Sequence, residues 1–177
     1  PAGGGIAQCR RVQRAGRSAA LHRGHVGGVG AQQQAEPFDA GAEMARLLAG
    51  RTEVGGVGCF VGLVRDHAGG RPIRAMTLEH YPGMTERALA RIAAEAEARW
   101  PLQGCTVLHR HGRLLPGEPI VLVLAASAHR QAALDATGFL IDWLKTRAPF
   151  WKREEFADGA TEWVESRQAD VAAASRW

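Results

Sequence analysis

The sequence predicts an α+β fold, a mostly antiparallel sheet with helices packed on it, and three observations carry that prediction. Stretches with helical spacing alternate with pairs of β-rich runs, in the order helix, two strands, helix, two strands, helix, tail. One run, "IVLVLAAS" at residues 120–127, is apolar throughout, which suits a strand at the centre of a sheet. Gly50, Pro101, the turn "LPGEP" and Pro149 punctuate the boundaries between these runs.

The first element is "PFDAGAEMARLLAG", a short helix with Asp39 placed to cap its start and Gly50 just past its end. "VGGVGCFVGLVR" is β-rich but laced with glycine, which predicts a strand running close against another backbone. A loop through "DHAGGRP" leads to "IRAMTLEHY", where Arg74, Met76, Leu78 and His80 alternate with Ile73, Ala75, Thr77, Glu79 and Tyr81. In "PGMTERALARIAAEAEARWP", Leu89, Ile92, Ala96 and Trp100 recur at helical spacing, and Pro101 stops the run. "CTVLHRHGRL" reads as one strand and "IVLVLAAS" as the next. Residues 131–147 form the last helix, with Leu140, Trp143 and Leu144 packing inward, although Gly138 costs about 1 kcal/mol there relative to alanine.

Length and composition suit one domain with an appendage: 177 residues, 46% of them apolar, are enough for a substantial core. Residues 1–35 hold five arginines and no acidic residue, a charge of +5, and show no sustained period; they read as a flexible basic extension. The remaining chain, residues 36–177, carries 17 basic against 18 acidic residues, a charge of −1. A basic footprint confined to a tail argues against a nucleic-acid-binding domain. No apolar run approaches the eighteen or so residues needed to span a bilayer. Cys9, Cys59 and Cys105 are odd in number and widely spaced, as expected of reduced thiols in a cytoplasmic protein.

Lysine usage singles out one stretch. The chain has 22 basic residues and only two are lysines, Lys145 and Lys152, both within "LKTRAPFWKREE". Guanidinium stays protonated, whereas an ammonium crowded by cations can lose its proton and act as base or nucleophile. With Arg147 and Arg153 nearby, each positive charge disfavours the next. Lys145 and Arg147 also suit a helix C-terminus, but Lys152, beyond Pro149, gains nothing from that.

Other candidates are weaker. "SAHR" at residues 127–130 stands at a helix start, where His129 and Arg130 form an anion cradle or, equally well on this signal, are solvated beside a capping Ser127. Arg65 precedes a glycine loop able to fold over a ligand. His109 and His111 alternate onto one strand face but lack a third ligand, so no metal is expected. Trp143, Phe150 and Trp151 suit an aromatic pocket or a core.

The strings "FVGLVRDH", "LEHYPGMTE", "RWPL", "HRHGRLLPGE", "SAHR", "LKTRAPFWKRE" and "WVESR", taken in order over residues 36–177, resemble the molybdopterin synthase catalytic-subunit family. The resemblance implies an α/β-hammerhead-like fold and a sulfur transfer without metal or organic cofactor. In that reaction a small ubiquitin-like subunit carries sulfur as a thiocarboxylate on its C-terminal Gly-Gly tail, and cyclic pyranopterin monophosphate receives two sulfurs to become the molybdopterin dithiolene. Carried over by the resemblance, Lys145 and Lys152 are the catalytic lysines; Arg65, His129, Arg130, Arg153 and Arg167 bind the substrate and its phosphate. It also implies a homodimer, heterotetrameric with the small partner, and no nucleic acid or membrane. Leu63 departs from the pattern, since relatives often carry lysine there.

Spacing adds a constraint. His129 and Lys145 are sixteen residues apart, about 24 Å along an unbroken helix. One pterin cannot bridge that, so either the helix bends sharply or two copies share each site. The competing class is a non-catalytic module that holds phosphate or nucleic acid, which salt would weaken steeply.

Overall fold

A computed structural model describes residues 29–164 and 168–177. Two sheets organise the fold. The first runs in the order β1-β5-β7-β2, from β1 (Val29–Gln34), β5 (Leu102–Arg110), β7 (Pro119–Ser127) and β2 (Gly56–Leu63). Its β1–β5 pair is parallel and its other pairs are antiparallel. The second sheet runs β3-β4-β8-β9, from β3 (His67–Ala68), β4 (Arg71–His80), β8 (Phe150–Phe156) and β9 (Thr161–Val164), and β6 (Gly112–Leu114) also pairs with β4. All of its pairs are antiparallel.

The continuous apolar run is explained by burial on both faces of β7. Val123 packs with Cys105 and Val107 of β5 against Leu89, Ile92, Ala93 and Ala96 of α2 (Met84–Arg99) and Phe139, Leu140 and Leu144 of α3 (Arg130–Thr146). Leu122, Leu124 and Ala126 face the other way, onto Leu47 of α1 (Ala40–Leu48). Burying each such leucine removes enough apolar surface to stabilise the fold by about 2 kcal/mol. α1 is capped as its sequence predicts, the Asp39 carboxylate accepting from the Ala42 N–H at 3.0 Å. In α2 the Glu86 carboxylate accepts from the N–H of Gly83, whose φ of 79° favours glycine.

The glycines of β2 mark close approaches: a Cβ on Gly58 would lie 2.2 Å from Thr137 Oγ1 and 2.5 Å from the Ala133 carbonyl oxygen of α3. Gly138 lies beneath the C-terminal residues Arg176 and Trp177. Asp142 of α3 accepts from Trp177 Nε1 at 2.8 Å and from Arg176 at 2.9 Å, and the Trp177 ring meets Phe139 and Trp100 edge-on.

Four expectations are corrected. Residues 29–34, placed in the flexible extension, form β1 and pair with β5; residues 1–28 lie outside the described residues. "CTVLHRHGRL" divides at His111, and its two halves join different sheets. The loop "DHAGGRP" is a tight hairpin between β3 and β4, turned by Gly69 and Gly70 at positive φ. The expected tail holds β8, β9 and α4 (Gln168–Ala174). Among the described residues no helix is long and apolar enough to cross a membrane.

Candidate active site

The C-terminal end of α3, the following strand β8 and the end of β2 enclose a cavity of about 660 Å³. Lys145 enters it from the last turn of α3. Pro149 prevents the helix from continuing, the chain turns into β8, and Lys152 and Glu154, two residues apart on one face of that strand, point into the same space. Arg65, just past β2, also lines it, and Leu63 forms an exposed apolar edge. Phe150 lines the wall, whereas Trp151 is exposed and Trp143 packs against the core.

The charges are mixed. Lys145 Nζ lies 3.1 Å from Asp170 Oδ1 of α4, and Glu154, 7% exposed, is a second carboxylate in the lining. The expectation of a purely cationic cluster is therefore corrected: sequence spacing counted the neighbours along the chain, and the fold adds carboxylates from across it.

His109 was missed as part of this site. It comes from β5, is almost wholly buried, and stacks on Phe150 with ring centroids 3.9 Å apart. Burial, opposed by its backbone hydrogen bond and reinforced by the nearby Lys152 and His111, pushes its pKa down to about 3. His111 is not part of the cavity lining; it pairs with His80, ring centroids 4.5 Å apart. Among the described residues, no three His, Cys, Asp or Glu side chains gather as a metal site.

The remaining sequence candidates lie elsewhere. His129 is the N-cap residue of α3 and Arg130 its first residue; both are exposed, and neither lines the cavity. The Ser127 hydroxyl accepts from the His129 N–H at 3.3 Å and donates to the Pro101 carbonyl at 2.9 Å, so it pins the turn while His129 holds the cap position. α3 is one uninterrupted helix, which removes the sharp bend as a way to bring His129 to Lys145. Arg153 alternates onto the other face of β8, its guanidinium 5.6 Å from the Trp163 ring centroid. Arg167 lies outside the described residues.

One chain thus offers a water-accessible, lysine-bearing cavity of small-molecule size, walled by apolar groups and entered by an arginine. Comparison with known proteins agrees with the motifs. The MoaE protein family matches residues 33–147. The molybdopterin synthase catalytic subunit of Mesorhizobium japonicum is 58% identical over 145 residues, covering 81% of this chain and 90% of that protein. The solved structure of a molybdopterin biosynthesis MoaE protein from Burkholderia ambifaria has a TM-score of 0.72 and 48% identity, over 84% of this chain and 97% of that one. A chain from the complex of subunits 1 and 2 of the Helicobacter pylori molybdopterin-converting factor shares the fold at a TM-score of 0.60 and 18% identity, over 79% of this chain and 90% of that one. By residues, fold and kinship, the chain belongs to the MoaE protein family.

Proposed function

We propose that this chain is the catalytic subunit of a molybdopterin synthase, a sulfurtransferase of molybdenum cofactor biosynthesis. It takes sulfur from the C-terminal thiocarboxylate of a small ubiquitin-like partner and delivers it, one atom at a time, to two carbons of cyclic pyranopterin monophosphate. The observation that carries this reading is the convergence of Lys145, Lys152 and Arg65 in one cavity, although they come from a helix end, a strand and a loop. The chain's only two lysines both line that cavity.

Each residue type suits its task. Arg65 offers forked N–H donors to phosphate oxygens at the rim. Lys145, held at the helix end beside Asp170, is the amine nearest the incoming thiocarboxylate. Lys152 moves protons, or pairs with phosphate, as sulfur replaces oxygen on the pterin. The partner's glycine tail enters in extended form, the geometry in which a narrow cleft can reach a terminal carbonyl. His129 and Arg130 complete the pocket of a second copy, so a two-fold dimer carries two shared sites. Arg153 and Arg167 remain substrate-binding candidates through the family resemblance. Cys59 and Cys105, both free thiols, suit the cytoplasm.

The direct test is incubation of this chain with thiocarboxylated small subunit and cyclic pyranopterin monophosphate, followed by detection of the dithiolene. Product that depends on both lysines is expected. No product from a partner verified as thiocarboxylated overturns the reading.

A further inference from the structure

The last residues of the chain retrace the last turns of α3. Asp170, in the first turn of α4, meets Lys145 at 3.1 Å, and Trp177 lies over Gly138, so residues 170–177 run antiparallel beside residues 138–145. The two ends of this segment are held differently. At Trp177 the indole Nε1 donates to Asp142 at 2.8 Å, Arg176 donates to the same carboxylate at 2.9 Å, and Arg99 donates to the Trp177 carbonyl oxygen at 2.9 Å. The indole also meets Phe139 and Trp100 edge-on, and Asp142, buried in α3, needs those donors. At Asp170 the contact is one ion pair, with the Lys145 side chain 45% and the Asp170 side chain 25% exposed. A pair this open to water adds little to folding. Yet both partners line the cavity, and α4 between the two contacts buries none of its own residues.

We propose that Asp170 is a positioning residue for Lys145, set in place by the anchor at Trp177: its carboxylate accepts from the amine and fixes where that amine points within the cavity. The proposal rests on the sulfur-transfer reading for its kinetic consequence, and on the 3.1 Å contact and the Trp177 anchor for the placement itself. A lysine stem is flexible, and an amine at the end of a helix, nearly half exposed, samples rotamers that face bulk water unless a fixed acceptor removes them. An ion pair that only decorates the surface has the opposite consequences. Its removal leaves catalysis alone, and nothing done at Trp177 reaches Lys145.

The test uses the full chain with its lysine side-chain nitrogens labelled, because two lysines give two amine signals and Lys145→Ala identifies one of them. Asp170→Ala is expected to move the Lys145 signal and to raise the mobility that its NMR relaxation reports. Trp177→Ala, at the far end of the segment, is expected to do the same in protein whose amide spectrum stays folded. Should that variant fail to fold, Trp177→Phe, which loses the donor to Asp142 and keeps a ring, takes its place. Relaxation of Lys145 as in wild type, in Asp170→Ala or in the folded Trp177 variant, overturns the proposal. With thiocarboxylated partner and cyclic pyranopterin monophosphate, Asp170→Ala is expected to lower kcat about tenfold with KM little changed, and Asp170→Asn, which keeps an acceptor oxygen, to recover most of that loss. Wild-type kcat in Asp170→Ala, or Asp170→Asn as impaired as Asp170→Ala, overturns it too. If wild type makes no dithiolene, the sulfur-transfer reading fails, and the relaxation result still decides whether Asp170 holds Lys145.

Discussion

At the scale of single residues, charge type matters more than charge sign. Lys145→Arg keeps a cation beside Asp170, 3.1 Å from the present amine, so folding should survive. A guanidinium cannot give up its proton or act as a nucleophile at neutral pH, so turnover should fall at least a hundredfold, the scale set by losing a positioned acid or base. Dithiolene formation measured beside a melting curve checks both halves, and retained turnover would remove Lys145 from the chemistry. His109 gives a second prediction, about pH. Its pKa falls from 6.5 to about 3 on folding, so above pH 6.5 neither state holds the proton, and below it only the unfolded chain takes it up. Stability contributed by this group is therefore fully present near neutrality and is lost as pH falls from 6.5 toward 3, at a limiting slope of about 1.4 kcal/mol per pH unit. Urea midpoints at a series of pH values should show that decline in wild type and a shallower one in His109→Phe. Equal slopes would assign the acid sensitivity to other groups.

At the scale of elements, the fit between β2 and α3 is set by a glycine without a side chain. Gly58→Ala places a methyl 2.2 Å from Thr137 Oγ1 and 2.5 Å from a helix carbonyl, and backbone cannot yield cheaply, so a loss of about 3 kcal/mol is expected in denaturant unfolding. Gly138→Ala is the counterpart. Its Cβ would come only to 3.4 Å from Arg176 and Trp177, an ordinary contact, so the gain in helix propensity should leave stability unchanged or raised by up to about 1 kcal/mol. The same elements show what the sequence makes legible. α1, α2, α3 and β7 are plain in it because each buries a periodic or continuous apolar set. β8 is not, because "FWKREEF" turns Lys152 and Glu154 toward the cavity and so lacks the apolar alternation that betrays a strand. β1, "VGAQQQ", is hidden for a related reason: it is a glutamine-rich edge strand added in parallel to β5. Missing β8 also hid the site's inner wall. The rarity of lysine exposed Lys145 and Lys152, but Glu154 needed the strand assignment. His109 needed the break at His111, which separates two histidines that spacing alone had paired.

At the scale of the whole molecule, the unbroken α3 decides how a complete site can be built. It carries His129 at its start and Lys145 in its last turn, about 24 Å apart along the axis, and only the second faces the cavity of its own chain. In the two-fold dimer proposed above, the second copy would supply the missing end, each site taking its lysines from one chain and His129 with Arg130 from the other. This arrangement makes opposite predictions for two kinds of mixed dimer. When a His129→Ala copy meets a Lys145→Ala copy, one site receives both intact residues and the other receives neither, so a purified mixed dimer should regain about half of wild-type turnover. When a wild-type copy meets one carrying both substitutions, each site inherits one defect, and the dimer should be nearly inactive. Sites contained within single chains reverse both outcomes. Differently tagged copies, isolated as mixed dimers and assayed with thiocarboxylated partner, distinguish the two cases, because the four mutant and wild-type side chains are the same in each dimer and only their distribution between chains differs.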